Sequence, residues 1–435
     1  MLGVSMQLTQ EELEIFNGEK GPVMQKLMQT IVRFGDCFGA KKLVNLDGPM
    51  HLVNTTAMAG LDSIYDILDQ LIEAGFKTKQ PFTTDPWPMD MVNIKTTDEE
   101  RAEFLRIYEP QERYLKQLLA LGLINEEAFS CACYLPQIGN IPKEGQRLAW
   151  AESSAVVYVN SVLGARTNRN SAYIELFCNI LGKAPEFGLL KDENRKAPWL
   201  VDIQTSKKPN GQVLGSVIGR KVVEDVPYII GLDRFLTDIS DFDTQDYLKD
   251  LGAAAASNGA VGLFHVENVT PEALRYGRKL LLDDYQTFVV TDQVIEDTVV
   301  SYPVLWNNKD DTPVLCLIGC PHLSLNQVNY WYHQIEKELN NRNMKSLAVQ
   351  TVLLTAKPVI SEFKKNPDDF EKLSAFGVTL SNTCPIMYMN NPLCASRPVI
   401  TNSNKARTYS TSRFFEDSEL LDIIVSGKIK GGKNE

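Results

Sequence analysis

The stretch PVLCLIGCPHLSLNQ at residues 313–327 predicts a buried strand followed directly by a helix. The apolar run at 314–318 is too continuous for a strand with one solvated face. It indicates a strand covered on both sides, as in a parallel sheet flanked by helices. Gly319 permits a sharp exit from that strand. Ser324, with Gln327 three residues later, forms the signature of a capping box at a helix start.

Cys320 and His322 are therefore expected in a strand-to-helix loop. In open α/β sheets, the loops at the carboxyl ends of the strands hold ligands and carry chemistry. The segment GVTLSNTC places Cys384 just past another predicted strand, and PVITNSNK places polar residues 401–405 past a third. We expect these three loops of the last third of the chain to face one crevice.

Composition predicts an ordinary globular protein of two or three domains, with 435 residues, 44% hydrophobic and 23% charged. The net charge of -11 argues against a nucleic-acid or anionic-membrane partner, because both require a basic surface. No apolar run is long enough to span a membrane. The first residues lack the basic and apolar regions of a secretory signal, so we expect a cytoplasmic location.

The eight cysteines are expected to be thiols or metal ligands rather than disulfides. No CxxC pair occurs, which weakens zinc-ribbon and thioredoxin-like interpretations. Four histidines are too few and too scattered to predict a histidine-based metal site. Cys178 and Cys316 lie within apolar patterns and are expected to be core residues.

Helical and strand patterns alternate along the chain, which indicates an α/β protein. Capping boxes at Thr9 and Thr97 predict two helix starts, the second for a helix that runs toward residue 121. Polar, turn-prone stretches near 191–209 and 306–312 predict boundaries between units. The resulting units are an N-terminal one at 1–195, a central one at 196–308 and a C-terminal one at 309–435. The strand-like segments are 228–233, 261–269, 346–355 and 377–383.

A further cysteine-bearing segment, AFSCACYLP at 128–136, contains Cys131 and Cys133. Three thiolates from distant loops can hold an iron–sulfur cluster and leave one iron open to a substrate hydroxyl or water. On spacing alone, unrelated buried thiols are the more common outcome.

The run WAESSAVVYVNSVLGARTNRN at 150–170 predicts a helix that ends near Gly164. Arg166 and Arg169 beyond it form a set of donors suited to a carboxylate or a phosphate. They could equally neutralise the negative end of the helix. His265 lies in a predicted strand, where a hydrogen-bonded core histidine is more common than a catalyst.

Taken together, several segments resemble the aconitase X family, the compact branch of the aconitase superfamily. They occur in order over most of the chain, and the combination is specific although each piece alone is not. The segments are LTQEELEIFNGEKGP (8–22), GPMHLV (48–53), SCACY (130–134), ESSAVVYVNSVLGARTNR (152–169), AAAASNGAVGLFHVENVTPEA (253–273), GCPHLSL (319–325), NTCP (382–385) and TNSNKA (401–406).

The resemblance implies an aconitase-like fold, with several α/β units and mainly parallel sheets around a central cleft. It implies a hydro-lyase that removes water from a hydroxylated carboxylic acid with an iron–sulfur cluster. An open iron would act as Lewis acid on the leaving hydroxyl, while a base removes a proton beside the carboxylate. The implied cluster ligands are Cys131, Cys320 and Cys384. The implied catalytic residues are His322, Ser153 and Lys405, and the implied substrate-binding residues are His51, Asn160, Arg166, Arg169 and Ser403.

The chain departs from the family pattern at three positions. Ser130 and Cys133 stand where Thr and Pro are usual, and Asn382 stands where Asp commonly precedes Thr-Cys. These changes leave the three thiols in place but affect groups that tune a metal site, and they make Cys133 an alternative ligand. The family also has a small swivelling domain that is not recognisable here, so we expect a separate small subunit that closes over the cleft.

Two substrates are implied by the resemblance. The content of Cys, Met and Asn is unlike that of a hyperthermophile chain, which favours cis-3-hydroxy-L-proline over mevalonate 5-phosphate. Alternatives from other classes are a zinc-dependent hydrolase that uses the same thiols, a non-catalytic binding protein, and an enzyme with Cys320 as nucleophile beside His322.

Overall fold

A computed structural model of the chain describes residues 6–53, 58–94, 96–391 and 394–429. It confirms the predicted α/β architecture with mainly parallel sheets. Within the described residues, no helix is both long and apolar enough to cross a membrane.

The first part of the chain is mainly helical and carries two small sheets. Its elements are α1 (Gln10–Asn17), α2 (Pro22–Cys37), β1 (Leu43–Asn45), β2 (Met50–Leu52), α3 (Asp62–Glu73), β3 (Phe82–Thr84), α4 (Asp98–Ile107), α5 (Gln111–Leu121), α6 (Ser153–Ser161), α7 (Ala172–Leu181) and β4 (Lys183–Pro185). Strands β1 and β4 pair antiparallel, whereas β2 and β3 pair in parallel. The parallel pair places His51 and the loop after β3 at one edge.

The middle part of the chain forms a four-stranded parallel sheet with helices packed against it. Its elements are β5 (Ala197–Ile203), α8 (Gly211–Val222), β6 (Pro227–Ile230), α9 (Phe242–Asn258), β7 (His265–Val266), α10 (Pro271–Tyr276), β8 (Leu281–Val290) and α11 (Asp292–Val300). The strand order is β7-β6-β5-β8.

The last part of the chain forms a five-stranded parallel sheet. Its elements are β9 (Leu315–Leu323), α12 (Leu325–Asn341), β10 (Gln350–Thr355), α13 (Lys357–Phe363), α14 (Pro367–Ala375), β11 (Val378–Ser381), α15 (Pro385–Met389), β12 (Val399–Thr401), α16 (Asn404–Tyr409), β13 (Arg413–Phe414) and α17 (Asp417–Ser426). The strand order is β11-β10-β9-β12-β13, with β9 in the centre and buried along its whole length. The strand predicted to be buried on both faces is therefore confirmed for residues 315–318, whereas Val314 lies just before β9 and is exposed.

The capping boxes predicted at Thr9, Thr97 and Ser324 are all present. Two local predictions were wrong. The helix after Thr97 was expected to run to residue 121, but it ends at Ile107 and a second helix begins after Pro110, because proline lacks the N–H that a helix interior needs.

The second error concerns Cys320 and His322, which were expected in a loop but lie in the last residues of β9. Gly319 has a φ of 114° there, and the pairing register with β10 shifts before Leu323 meets Thr355. The irregularity near the end of β9 redirects the side chains of Cys320 and His322, and β9 pairs with β10 again at Leu323.

The apolar side chains form one large core shared by the middle and last sheets, and a separate core for the N-terminal helices. Cys316 and Cys178 are fully enclosed, as predicted. The segment 129–134 joins these cores, since Ala132 and Tyr134 pack into the large core and Phe129 into the N-terminal one.

Candidate active site

Three cysteines from three separate segments of the chain share one electrostatic environment. Burial raises the pKa of all three thiols, to about 12 for Cys320 and about 11 for Cys384, and the ammonium of Lys405 opposes that effect at each of them. Cys320 also influences Cys131, and Cys384 influences Cys320. The structure therefore brings Cys131, Cys320 and Cys384, the three thiols implied by the family resemblance, together around Lys405. Spacing alone had favoured unrelated buried thiols.

His322 connects the three chain segments that carry Cys131, Cys320 and Cys384. Its backbone N–H donates to Cys131 Sγ at 3.4 Å, its Nδ1 lies 3.1 Å from Ser130 Oγ, and its Nε2 lies 3.2 Å from the carbonyl oxygen of Thr383. Because a carbonyl only accepts, Nε2 carries the proton and Nδ1 accepts from the serine. Burial lowers the pKa of His322 to about 4, so the ring is neutral.

Lys405 forms a buried ion pair with Glu152 at the start of α6. The ammonium also donates to Ser154 Oγ at 2.7 Å, and Glu152 accepts from the backbone N–H of Ala155 at 2.5 Å. Burial disfavours the charge on Lys405, but Glu152 and the nearby thiols outweigh it and raise the pKa. Glu152 has a lowered pKa because the ammonium outweighs its own burial. Both groups are therefore ionised beside the thiols.

His51 forms a second polar cluster next to the first. Its Nδ1 lies 2.9 Å from Thr83 Oγ1 and its Nε2 lies 3.2 Å from Asp85 Oδ1. The ring is buried, which lowers its pKa, but the Cys133 thiol and the Asp85 carboxylate outweigh burial and raise it. Cys133 thus faces His51, whereas Cys131 faces the Lys405 group.

Two predicted serines lie at this site. Ser403 is the N-cap of α16, accepting from Ala406 N–H at 3.1 Å, and its hydroxyl donates to the carbonyl oxygen of Cys320. Ser153 is half-buried, with its Oγ 3.5 Å from the carboxylate of Glu152.

Asn160 is instead occupied with the local fold. Its amide nitrogen donates to the carbonyl oxygens of Thr167 and Gly262, each at 2.9 Å, and its Oδ1 accepts from Thr167 N–H and from Arg195. These contacts use the polar atoms of a side chain that is almost fully enclosed.

The two predicted arginines differ in their surroundings. Arg166 lies 2.5 Å from Asp192 and 3.7 Å from Glu272, so two carboxylates balance its charge. Arg169 is exposed, and its Nη1 donates to the carbonyl oxygen of Ala256 at 3.3 Å. Of the two, Arg169 has the guanidinium that remains available to an anion.

Sequence reasoning missed Asp85 and gave no role to Glu152. Asp85 follows β3, whose parallel partner β2 carries His51, so the rule that placed Cys384 at a strand end would also have found it. Glu152 is revealed only by its ion pair with a lysine 253 residues away.

Within the described ranges, no three His, Cys, Asp or Glu side chains converge closely enough to hold a single metal ion.

Comparison with known protein families gives matches along most of the chain. Three successive family models match: the first domain of aconitase X at residues 5–193, the second at 197–299 and the third at 313–421. The chain belongs to the aconitase X family.

Several curated relatives are dehydratases. The phosphomevalonate dehydratase large subunit of Thermococcus kodakarensis is 34% identical over 74% of this chain and 75% of its own. That of Methanocaldococcus jannaschii is 30% identical over 98% and 100%. A cis-3-hydroxy-L-proline dehydratase of Hypocrea jecorina is 27% identical over 97% of this chain and 69% of its own. The predicted enzyme class, a hydro-lyase, is thereby confirmed.

The fold agrees with a solved member of the family. The crystal structure of Thermococcus kodakaraensis aconitase X in its holo-form matches with a TM-score of 0.78 and 29% identity, over 97% of this chain and 100% of that one.

Proposed function

We propose that this aconitase X chain is the catalytic large subunit of an iron–sulfur-dependent dehydratase, with Cys131, Cys320 and Cys384 as cluster ligands. The observation that carries the proposal is the set of contacts that joins the three thiol segments. His322, two residues after Cys320, donates its backbone N–H to Cys131 Sγ at 3.4 Å and directs its ring to the carbonyl oxygen of Thr383, the residue before Cys384. Cysteine thiolates are the usual ligands of iron–sulfur clusters, and three of them leave one iron without a protein ligand.

The surroundings of the thiols fit such a group. Without a metal the thiols are protonated, since burial raises the pKa of each, and metal binding would displace these protons. The positive charge of Lys405 would balance part of the negative charge of three thiolates. When bound, the cluster supplies an iron that acts as Lewis acid on the leaving hydroxyl.

We assign the binding and positioning roles to residues around the thiols. We assign Lys405, held by Glu152 and Ser154, to the substrate carboxylate and to the charge that develops beside it. Ser153, half-buried next to Glu152, remains a candidate for proton transfer. His322 has both ring nitrogens engaged and a low pKa, which supports a connecting role rather than the catalytic role implied by the resemblance.

We favour mevalonate 5-phosphate as the substrate over cis-3-hydroxy-L-proline, the compound preferred from composition. The composition argument concerns growth temperature and says nothing about a substrate pocket. Five relatives named phosphomevalonate dehydratase large subunit are 26–34% identical to this chain, and four of them are at 30–34%. Two relatives named cis-3-hydroxy-L-proline dehydratase are 26–27% identical.

Arg169 is the residue we assign to the phosphate. Its backbone pairs with that of Trp150 in an isolated parallel bridge, and Trp150 precedes Glu152 by two residues. This pairing supports a position of Arg169 near the three thiols. An exposed guanidinium that donates one hydrogen bond to a carbonyl oxygen can still present a bidentate face to a phosphate.

The partner we propose is a small subunit that closes over the site. The support is the name "large subunit" carried by the relatives that match this chain over most of their length.

The test is an anaerobic assay of the cluster-loaded chain with a phosphomevalonate dehydratase small subunit, offered each of the two substrates in turn. We expect loss of water from mevalonate 5-phosphate, an EPR or visible absorbance signature of a cluster, and loss of both in Cys320→Ala. Turnover of hydroxyproline alone would overturn the substrate assignment. Wild-type protein that binds neither iron nor sulfide would overturn the proposed function itself.

A further inference from the structure

A buried lysine outside the thiol group contacts the end of β9, which carries Cys320 and His322. Lys249 lies in α9, with 2% of its surface exposed. Its ammonium donates to the carbonyl oxygen of His322 at 3.2 Å and to Gln327 Oε1, and it pairs with Asp246 at 3.1 Å. Burying an ammonium is costly unless its charge and its protons are all satisfied, and here three groups satisfy them.

The contacts of Lys249 belong to a polar seam between α9 and the start of α12. Asp246 accepts from Ser324 Oγ at 2.6 Å, and Gln327 Nε2 donates to Asp250 at 3.1 Å. Ser324 and Gln327 also form the capping box of α12. The seam thus joins the middle and last sheets at the point where β9 delivers Cys320 and His322.

The segment Cys320–Pro321–His322 is held at both ends from outside its own strand. Ser403 donates to the carbonyl oxygen of Cys320, and Lys249 donates to that of His322. Between these two anchors, His322 N–H reaches Cys131 and its ring reaches Ser130. A displacement of the His322 carbonyl would therefore reach the contacts that keep the cysteine loops together.

We propose that Lys249 is a positioning residue for the active site: its ammonium, through the His322 carbonyl, keeps Cys320 enclosed and the three thiols in register. The assignment of this geometry to catalysis rests on the proposed function. Without the ammonium, the His322 carbonyl loses its side-chain donor, whereas Asp246 keeps Ser324 and Asn326 as donors. We therefore expect the loss of the ammonium to loosen only the segment that contains Cys320 and to increase the exposure of its thiol.

The experiment measures iodoacetamide labelling of Cys320, Cys131 and Cys384 by peptide mass spectrometry in the folded chain without cluster. In Lys249→Met we expect labelling of Cys320 to rise about fivefold relative to Cys384, as expected for the loss of one hydrogen bond worth about 1 kcal/mol. In the cluster-loaded chain, we expect faster loss of iron to a chelator.

The matched control is Asn326→Ala, which removes contacts of the same seam to Asp243 and Asp246 but touches no cysteine loop. We expect it to lower the unfolding temperature and to leave the labelling ratio unchanged. A ratio equal to wild type in Lys249→Met, or one raised equally in Asn326→Ala, would overturn the proposal. If Lys249→Met does not fold, Lys249→Gln takes its place, since one short amide cannot satisfy both the His322 carbonyl and Asp246.

The labelling result is independent of substrate and partner. An enzyme that dehydrates neither compound, yet shows the predicted labelling, would overturn the proposed function and leave the positioning of Cys320 by Lys249 standing.

Discussion

Cys131 and Cys133 are separated by one alanine but face different groups. Cys131 is influenced by Glu152, Lys405 and Cys320, whereas Cys133 acts on His51. The spacing CAC is compatible with either thiol as a cluster ligand. The sequence therefore leaves open which of the two side chains points toward Cys320 and Cys384. The tertiary contacts favour Cys131.

The two cysteines are predicted to differ in cluster retention. We expect Cys131→Ala to abolish binding of a full cluster, and Cys133→Ala to retain it with a small loss of stability. Iron and sulfide analysis after anaerobic reconstitution checks this, with near-stoichiometric iron expected only for wild type and Cys133→Ala. Full iron content in Cys131→Ala would make Cys133 the ligand.

Substitutions of Arg166 and Arg169 are predicted to have different effects, one on stability and the other on substrate binding. We expect Arg169→Gln to raise KM for mevalonate 5-phosphate about tenfold, equivalent to about 1.4 kcal/mol, because the exposed guanidinium is the group that we assign to the phosphate. Arg166→Gln serves as the control and should leave KM unchanged, with a loss of about 0.5–1 kcal/mol of stability from its partly exposed ion pairs. Steady-state kinetics and urea unfolding of both variants decide, and an equal rise in KM would contradict the assignment.

Helices α8 and α9 pack backbone against backbone, and this packing positions Lys249. A Cβ at Gly215 would lie 2.2 Å from the carbonyl oxygen of Leu251, and one at Gly219 would lie 2.5 Å from that of Ala255. The facing turn of α9 is made of alanines, which allows the close approach. Small residues on both helices therefore set the distance between them.

The contact predicts the effect of a single methyl group. We expect Gly215→Ala to lower the free energy of unfolding by about 2–3 kcal/mol, because overpacking against main-chain atoms forces the two helices apart. Urea unfolding measures the change. Glu224→Ala, at an exposed position just after α8, is the control and should stay within about 0.5 kcal/mol of wild type. A neutral Gly215→Ala would show that the helices can shift without cost.

On the scale of the whole molecule, the middle and last sheets share one apolar core and one polar seam. Asp250 lies in that seam, half-buried, and accepts from Gln327. Burial raises its pKa to about 7, although Lys249 acts in the opposite direction, and Asp246 and Asp417 add to the rise.

This raised pKa predicts a pH-dependent stability. Because the folded state holds the proton more tightly than the unfolded state, the contribution of Asp250 is fully present below about pH 4 and is lost as the pH rises through about 7. We expect Asp250→Asn, which mimics the neutral acid, to gain about 1–2 kcal/mol relative to wild type between pH 5 and pH 8. Urea unfolding of both proteins at these two pH values measures the difference, and a pH-independent difference would contradict the shift.

Local patterns were sufficient for the elements. The capping box at Ser324 and Gln327 and the buried strand at 315–318 were predicted correctly, because capping and burial patterns depend on neighbouring residues. The family resemblance likewise depended on short segments, and it pointed to the three cysteines and to Lys405.

The relations between distant residues were decided by the tertiary structure. The ring of His322 between Ser130 and Thr383, the pairing of Glu152 with Lys405, and the direction of Cys133 toward His51 join residues that lie far apart in the chain. A side chain's partner and pKa depend on the groups that folding brings within a few ångströms, and no local pattern encodes them. The amino-acid sequence by itself therefore determined the α/β elements, the family and the candidate thiols. Packing of the sheets and helices decided which of those residues meet, and which of them serve only the fold.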